Sequence, residues 1–186
     1  ILRFAVSADS FDYSLSSLIK AFPKTFYFER PDNKFSFLGL GEAYSINESG
    51  DKRFTSIDKN IQNFKNKLVD NLHKVKSTRV PLFMGGMKFN VEHSDSEWTN
   101  FSDSSWFIPE IVLFKDANEQ LLIYNQVGQG NFSSSKALQR FENLLKIIVN
   151  STINRIPLCL ATSVAFFAFF RTLNSYVLLT TVLSHG

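Results

Sequence analysis

The sequence predicts an α+β domain, an antiparallel sheet with helices packed on one face. The predicted elements follow the order helix, hairpin, helix, strands, hairpin, helix, and hairpins of consecutive strands build antiparallel sheets. The chain has 186 residues, of which 44% are hydrophobic and 20% charged, so it is able to bury a core. Its length fits one domain or part of a larger one.

A short helix and a hairpin open the predicted domain. Apolar residues recur at helical spacing over residues 14–22, and Pro23 closes the run because proline cannot continue a helix. Residues 25–29 and 35–46 then have the composition of two strands. Residues 31–34, Pro-Asp-Asn-Lys, are typical of the turn that joins a hairpin.

Two glycines lie two positions apart in the second of these strands. Residues at this spacing point to the same side of a strand, so Gly39 and Gly41 share one face. Without side chains they permit a bulge or the close approach of another backbone. We therefore expect this face of the hairpin to be covered.

The cleanest amphipathic pattern predicts a helix over residues 56–76. Its apolar positions keep intervals of three and four residues: Ile57, Ile61, Phe64, Leu68, Leu72 and Val75. Lysines and aspartates occupy the other side, which is typical of a solvated helix face rather than a phosphate-binding patch.

The second half of the predicted sheet begins after this helix. Residues 80–89 have the composition of a strand that is broken by a Gly-Gly pair, and a polar loop over residues 90–104 follows. Residues 106–115 predict a further strand with Pro109 inside it. Since proline donates no ladder hydrogen bond, we expect this strand to lie at an edge or to carry a bulge there.

A hairpin and a third helix complete the domain. Residues 120–126 pair with the preceding strand across the turn Asp-Ala-Asn-Glu. After a loop over residues 128–135, Ser134 or Ser135 can cap a helix over residues 136–150. The predicted buried side of this helix comprises Leu138, Phe141, Leu145 and Ile148.

The last part of the chain differs in composition. Over residues 156–186 the only formally charged side chain is Arg171. Three interpretations are open: a transmembrane segment, core strands of a parent enzyme, or a shifted or wrongly joined reading frame. The apolar run over residues 156–170 is shorter than the about twenty residues that span a bilayer. Core strands would show alternation and turn residues, which this segment lacks.

Charge and cysteine content disfavour several classes of function. The 20 basic and 17 acidic residues are interspersed and leave a net charge of +3, so no single-sign stripe indicates nucleic-acid binding. Cys159 is the only cysteine, which excludes an internal disulfide and favours a reducing compartment. Residues 1–18 lack the uninterrupted apolar run of a secretion signal. We therefore expect a cytoplasmic protein.

Three segments together carry a resemblance to a known family. They are residues 26–41, with Phe-Tyr-Phe-Glu-Arg-Pro and Phe-Ser-Phe-Leu-Gly-Leu-Gly, residues 81–89, Pro-Leu-Phe-Met-Gly-Gly-Met-Lys-Phe, and residues 106–111, Trp-Phe-Ile-Pro-Glu-Ile. In their order, intervals and turn chemistry they resemble the amino-terminal part of isochorismate synthases, members of the chorismate-utilising enzyme family. The resemblance covers residues 26–150 and implies chorismate as the substrate of the intact enzyme.

The resemblance also implies the catalytic parts of the intact enzyme: Mg²⁺, a lysine as general base, a glutamate as general acid, and further glutamates that hold the metal. Arg155 lies at or near the position of the base, and a guanidinium stays protonated at physiological pH. No Asp or Glu follows Glu142, and His73, His93 and His185 have no metal-ligand spacing. We therefore assign no catalytic, cofactor-binding or metal-binding residue and expect no Mg²⁺ to bind this chain.

The sequence thus predicts an amino-terminal fragment of an isochorismate synthase, of menaquinone or siderophore biosynthesis, that is inactive as it stands. Residues 1–150 are predicted to form the amino-terminal part of a chorismate-utilising domain, and residues 151–186 an apolar tail that is frame-shifted or an incomplete catalytic part. The alternatives are a non-catalytic binding or regulatory module and a membrane-tethered protein anchored by the tail.

Overall fold

The computed structural model describes residues 1–8, 15–30, 32, 34–70, 72, 80–89, 102–128 and 134–150. Over these residues the chain forms nine strands in two sheets, together with three helices. The strands are β1 (Leu2–Ala8), β2 (Thr25–Arg30), β3 (Phe35–Leu40), β4 (Tyr44–Glu48), β5 (Val69–Asp70), β6 (Met84–Met87), β7 (Ser104–Ile108), β8 (Ile111–Lys115) and β9 (Gln120–Gln126). The helices are α1 (Leu15–Ala21), α2 (Arg53–Lys65) and α3 (Ser134–Asn150).

The strands form one large sheet and one small sheet. The large sheet has six strands in the order β2-β3-β8-β9-β1-β5, and the small sheet has three in the order β4-β7-β6. Among the described strands every pairing is antiparallel except the short parallel pairing of β1 with β5. This combination of helices and mainly antiparallel sheets is an α+β fold, as the sequence predicts.

The large sheet is the middle layer of the fold. Because successive side chains of a strand point to opposite faces, its strands supply two separate cores. On one face Leu113 is buried with Leu18 of α1 and Phe141 of α3. On the other face Val112 is buried with Phe107 of the small sheet. Helices α1 and α3 therefore share one face, and the small sheet covers the opposite one.

Helix α2 lies beside the small sheet. The ring of Phe64 in α2 lies 4.4 Å from the ring of Tyr44 in β4, measured between centroids. The Asn60 side-chain amide donates a hydrogen bond to Glu48 Oε1 over 3.1 Å. The predicted packing of helices on one face of the sheet thus describes α1 and α3, while α2 packs against β4.

Both predicted hairpins are confirmed. Strand β2 pairs with β3 so that Arg30 lies opposite Phe35 at the turn end. In the turn between β8 and β9, Asp116 Oδ1 accepts hydrogen bonds from the backbone N–H groups of Asn118, at 2.8 Å, and Glu119, at 3.0 Å. Such a side-chain bond to the backbone two residues on is the reason that aspartate favours turns.

The prediction of a single strand over residues 35–46 is wrong. Strand β3 ends at Leu40, and β4 begins at Tyr44 in the other sheet, where it pairs with β7. Between them Gly41 adopts a φ of +69°, a left-handed conformation that suits glycine. The backbone therefore changes direction at the second glycine instead of continuing the strand.

The prediction of a helix over residues 56–76 is wrong in its second half. Helix α2 ends at Lys65, and β5 begins at Val69, with residues 66–68 between them. The Val69 N–H donates a hydrogen bond to the Ile1 carbonyl over 2.9 Å, and Val69 lies opposite Leu2 in the parallel pairing. Pairing with the edge of β1 thus prevails over the helical periodicity of this segment. Residues 71 and 73–79 lie outside the described residues.

The predicted strand over residues 106–115 is two strands. It divides at Pro109 instead of carrying a bulge there, and neither part lies at an edge. Strand β7 is the central strand of the small sheet, and β8 lies between β3 and β9 in the large sheet. The missing proline N–H is accommodated because the chain passes from one sheet to the other at this residue.

Smaller differences concern the ends of elements. The strand predicted over residues 80–89 is confined to β6, and both of its glycines lie inside the strand. Helix α3 begins at Ser134, so Ser134 and Ser135 lie in its first turn rather than before it. Of the loop predicted over residues 90–104, residues 90–101 lie outside the described residues and Ser104 already belongs to β7. The tail over residues 151–186 also lies outside the described residues. None of the helices that the model describes is long and apolar enough to cross a bilayer.

Candidate functional site

The three segments that carry the family resemblance meet where the chain passes between the sheets at Pro109, and we call this place the motif junction. A Cβ atom on Gly39 would overlap the Met84 sulfur and would lie 2.7 Å from Pro109 Cγ. A Cβ atom on Gly41 would lie 2.6 Å from Glu110 Oε2. The glycines of the first segment thus leave room for the second and third segments. The expectation of a covered face is confirmed at Gly39, whereas Gly41 lies beyond the end of β3 and does not share a strand face with it.

The glycine pair of β6 has two different environments. Gly85 has a φ of +156°, and its Cβ would overlap the Ser105 carbonyl oxygen and lie 2.7 Å from the Trp106 Cα atom. A Cβ on Gly86 would meet nothing within 4 Å. Gly85 therefore allows the close pairing of β6 with β7, whereas Gly86 is open to a side chain.

Asn125 of β9 holds the backbone at the motif junction. Its Nδ2 donates a hydrogen bond to the Pro109 carbonyl and its backbone N–H donates to the Glu110 carbonyl, each over 2.8 Å. The residue is 1% exposed. Since a buried carbonyl without a partner is costly, this double contact fixes the crossing between the sheets.

Glu110 ties the motif junction to α3. Its two carboxylate oxygens accept hydrogen bonds from Arg140 Nε, at 2.8 Å, and Nη2, at 2.6 Å. This bidentate pair raises the pKa of Arg140. Burial, followed by the charge of Glu110, raises the pKa of the nearby Tyr124 phenol well above its ordinary value of 10.0. Tyr124 thus stays protonated at neutral pH and does not act as a general base there.

A second ion pair lies near the Phe107 ring. The Lys24 ammonium binds the Glu42 carboxylate and lies 4.6 Å from the centroid of the Phe107 ring. The hydrogen bond from Lys24 lowers the pKa of Glu42 below its ordinary value. A carboxyl group with a lowered pKa is ionised at neutral pH, so Glu42 is not suited to be a general acid.

Arg53 anchors α2 to the small sheet through backbone carbonyls. It is 4% exposed and donates to the Gly50 carbonyl at 3.0 Å, to Lys88 at 3.0 and 3.3 Å, and to Phe89 at 2.9 Å. Close by, Asp103 accepts a 2.9 Å hydrogen bond from the Gly50 N–H, which is the main cause of its lowered pKa. This cluster of Gly50, Arg53, Lys88, Phe89 and Asp103, the Arg53 cluster, consists of structural contacts.

A cleft opens between α2, β4 and the ends of β1 and β9. It has a volume of about 340 Å³. Its walls combine amide, aromatic and aliphatic side chains with one side-chain ammonium group and a glycine. The lining residues are Ile1, Tyr44, Asn60, Asn63, Phe64, Lys67, Val127 and Gly128. None of the described residues that line the cleft carries a carboxylate, imidazole or thiol, so these residues offer no ligand set for a metal ion.

The described residues do not fit the Mg²⁺ that the resemblance implies for the intact enzyme. No group of three or more His, Cys, Asp or Glu side chains suitable for a metal ion occurs in the part of the chain that the model describes. Arg155, Cys159, His73, His93 and His185 lie outside the described residues. The expectation that this chain binds no Mg²⁺ therefore stays a prediction.

Sequence reasoning missed β1 and the buried polar residues. Strand β1 has a visible signal, since Leu2 and Phe4 alternate on the face that α1 and α3 cover. For Arg3 and Arg53 the only signal is a charged residue within or beside an apolar pattern. Their partners are backbone carbonyls far away in the sequence, which no local pattern reveals.

Comparison with known proteins gives two matches. The family model described as chorismate binding enzyme matches residues 3–162. Isochorismate synthase MenF of Bacillus subtilis (strain 168) is 23% identical over 120 residues, which are 61% of this chain and 26% of that protein. The chain thus spans about a quarter of the length of the curated relative that it matches.

Proposed function

Because the chain belongs to the chorismate-binding enzyme family, we propose that it is the amino-terminal scaffold of an isochorismate synthase. The observation that carries the proposal is the motif junction. Three segments that are distant in sequence share one packing site, where Gly39 meets Pro109 and Gly41 meets Glu110. The similarity to a protein named isochorismate synthase supports this activity over other reactions of chorismate. We propose that the intact enzyme serves menaquinone biosynthesis, with siderophore biosynthesis as the alternative.

We propose further that the chain does not convert chorismate by itself. No Asp or Glu follows Glu142, so residues 143–186 contain no acidic side chain that could donate a proton or hold Mg²⁺. Before that residue, Glu110 at the motif junction is held in an ion pair with Arg140, and Glu42 is held in one with Lys24. In the intact enzyme, Mg²⁺ would neutralise the carboxylate of chorismate, with ligands from outside the described residues.

The family match supports an authentic reading frame for part of the tail. It continues to residue 162, twelve residues beyond the end of α3 at Asn150. A change of frame, if the gene contains one, then lies close to or after Thr162. Sequencing the gene past this codon tests the point. We expect another frame to encode glutamate-bearing segments there.

Genetic complementation tests the proposed function. A strain that lacks isochorismate synthase should grow without added isochorismate-derived product when it carries the gene with its reading frame restored. The 186-residue chain should fail to rescue the same strain. Failure of the restored gene would contradict the proposal. Chorismate binding without turnover by that longer product would instead identify a binding or regulatory module.

A further inference from the structure

Arg3 and Asn125 are buried polar residues of neighbouring strands in the large sheet. They lie directly opposite each other in the antiparallel pairing of β1 with β9. Opposite residues of a pair point to the same face, here the face of Ala5 and Ile123, which the small sheet covers. Arg3 is 2% exposed and Asn125 is 1% exposed, so bulk water does not reach either side chain.

Most of their polar atoms bind carbonyl groups where the chain passes between the sheets. Arg3 Nη2 donates to the Pro81 carbonyl over 2.6 Å, and Nη1 donates to the Val80 carbonyl over 3.5 Å. Asn125 Nδ2 donates to the Pro109 carbonyl over 2.8 Å. That bond sets the orientation of the amide, since the opposite orientation would place two oxygen atoms against each other.

One nitrogen atom and one oxygen atom of these two side chains make no hydrogen bond to a described residue. Arg3 Nε and Asn125 Oδ1 are buried and have no hydrogen-bond partner among the residues that the model describes. Buried polar groups of this kind are costly, and folded proteins satisfy them with protein groups or with ordered water. The two atoms are complementary and belong to neighbouring side chains.

We propose that one buried water molecule bridges Arg3 Nε and Asn125 Oδ1. It thereby joins the large sheet to the two segments where the chain passes between the sheets, residues 80–81 and Pro109. The water accepts from the Nε–H group and donates to the Oδ1 atom. A carboxylate has no hydrogen atom for Oδ1, and a metal cation is repelled by the guanidinium, so neither suits the pair. Asp70, which lies opposite Arg3 in β5, already supplies a negative charge nearby.

The proposed water has a structural role that differs from catalysis. Through Arg3 it connects to residues 80–81, which lead into β6, and through Asn125 to Pro109, which separates β7 from β8. The two crossings would then be held by one hydrogen-bonded network. The inference does not depend on the proposed function, because it concerns only these buried groups.

A crystal structure of the 186-residue chain tests the inference directly. We expect solvent density within hydrogen-bond distance of both Arg3 Nε and Asn125 Oδ1. A direct hydrogen bond between these atoms, or a protein group between them, would overturn the proposal. This outcome needs no variant and is therefore decisive even if the variants below fail to fold.

Relaxation dispersion of water oxygen supplies a measurement in solution. Arg3→Lys keeps the positive charge but removes the Nε–H group, so we expect its count of long-lived internal waters to fall by one. The control Lys115→Gln changes an exposed residue at the end of β8 and should leave the count unchanged. An unchanged count in folded Arg3→Lys would contradict the proposed bridge.

Discussion

At the scale of single residues, the motif junction depends on the absence of side chains. Gly39 and Gly85 leave no room for a side chain. A Cβ atom on Gly39 would overlap Pro109, and a Cβ atom on Gly85 would overlap the β7 backbone. The sequence alone does not distinguish these glycines from glycines that serve a turn. The spacing of Gly39 and Gly41 predicted a covered face, which is confirmed at Gly39, but the covering residues are known only from the folded chain.

A methyl group at the motif junction should destabilise the fold. In Gly39→Ala the new Cβ lies 2.7 Å from Pro109 Cγ and overlaps the Met84 sulfur, and the proline ring has little freedom to move. We expect a loss of about 1–3 kcal/mol in the free energy of unfolding. Urea denaturation measures it. Gly86→Ala is the control, since its Cβ meets nothing within 4 Å and should cost less than about 1 kcal/mol.

Asp103 should make the stability of the protein depend on acid pH. Its pKa is lowered in the folded state, first by the hydrogen bond from the Gly50 N–H. The unfolded chain therefore binds the proton more readily, so stability present above the ordinary pKa of 3.8 is lost as pH falls through the lowered value.

Urea midpoints across the acid range test this dependence. Asp103→Asn should lose less stability than the unmodified chain as the pH falls below about 5. Asp58→Asn, an exposed substitution on α2, serves as the control and should follow the unmodified chain. Parallel curves for Asp103→Asn and the unmodified chain would contradict the role assigned to Asp103.

At the scale of secondary structure, elements with local partners were predictable and elements with distant partners were not. The hairpins of β2 with β3 and of β8 with β9 follow from adjacent strands and short turns. In contrast, β4 pairs with β7 and β5 pairs with β1, which are far away in the sequence. The helical period of residues 68–75 gives no sign that Val69 completes a sheet edge.

The attachment of α2 should depend on Arg53. Arg53→Met removes the donors that bind the carbonyls of Gly50, Lys88 and Phe89. Because Arg53 is buried and its part-buried acceptors lose their donor, we expect a loss of about 1–3 kcal/mol in the free energy of unfolding. Thermal and urea unfolding measure the loss. Lys59→Met, on the exposed side of the same helix, should change stability by about 0.5 kcal/mol or less.

Glu110 and Arg140 should show a modest coupling between the motif junction and α3. Their contact is bidentate, but the Arg140 side chain is 54% exposed, so solvent screens the attraction. A double-mutant cycle with Glu110→Gln and Arg140→Gln should give a coupling energy of about 0.5–1 kcal/mol. The coupling should shrink in high salt. Strictly additive effects would show that the pair does not fasten α3.

At the scale of the whole molecule, the described residues form a packed scaffold. The chain belongs to the chorismate-binding enzyme family. The match to residues 3–162 covers most of the chain, whereas the alignment with MenF covers 26% of that protein. The sequence allowed no catalytic residue to be assigned, and the described residues bring together no metal-binding group. Whether residues 151–186 belong to the enzyme depends on the reading frame of the gene. The composition of this segment alone does not decide the frame.

We propose that this chain supplies scaffold and that the proton-transferring and metal-holding side chains come from outside it. The most direct measurement is the conversion of chorismate to isochorismate by the purified 186-residue chain, followed by chromatography with and without Mg²⁺. We predict no isochorismate above the background of a heat-denatured sample, and conversion by the product of the frame-restored gene. Formation of isochorismate by the 186-residue chain that requires Mg²⁺ would contradict the claim.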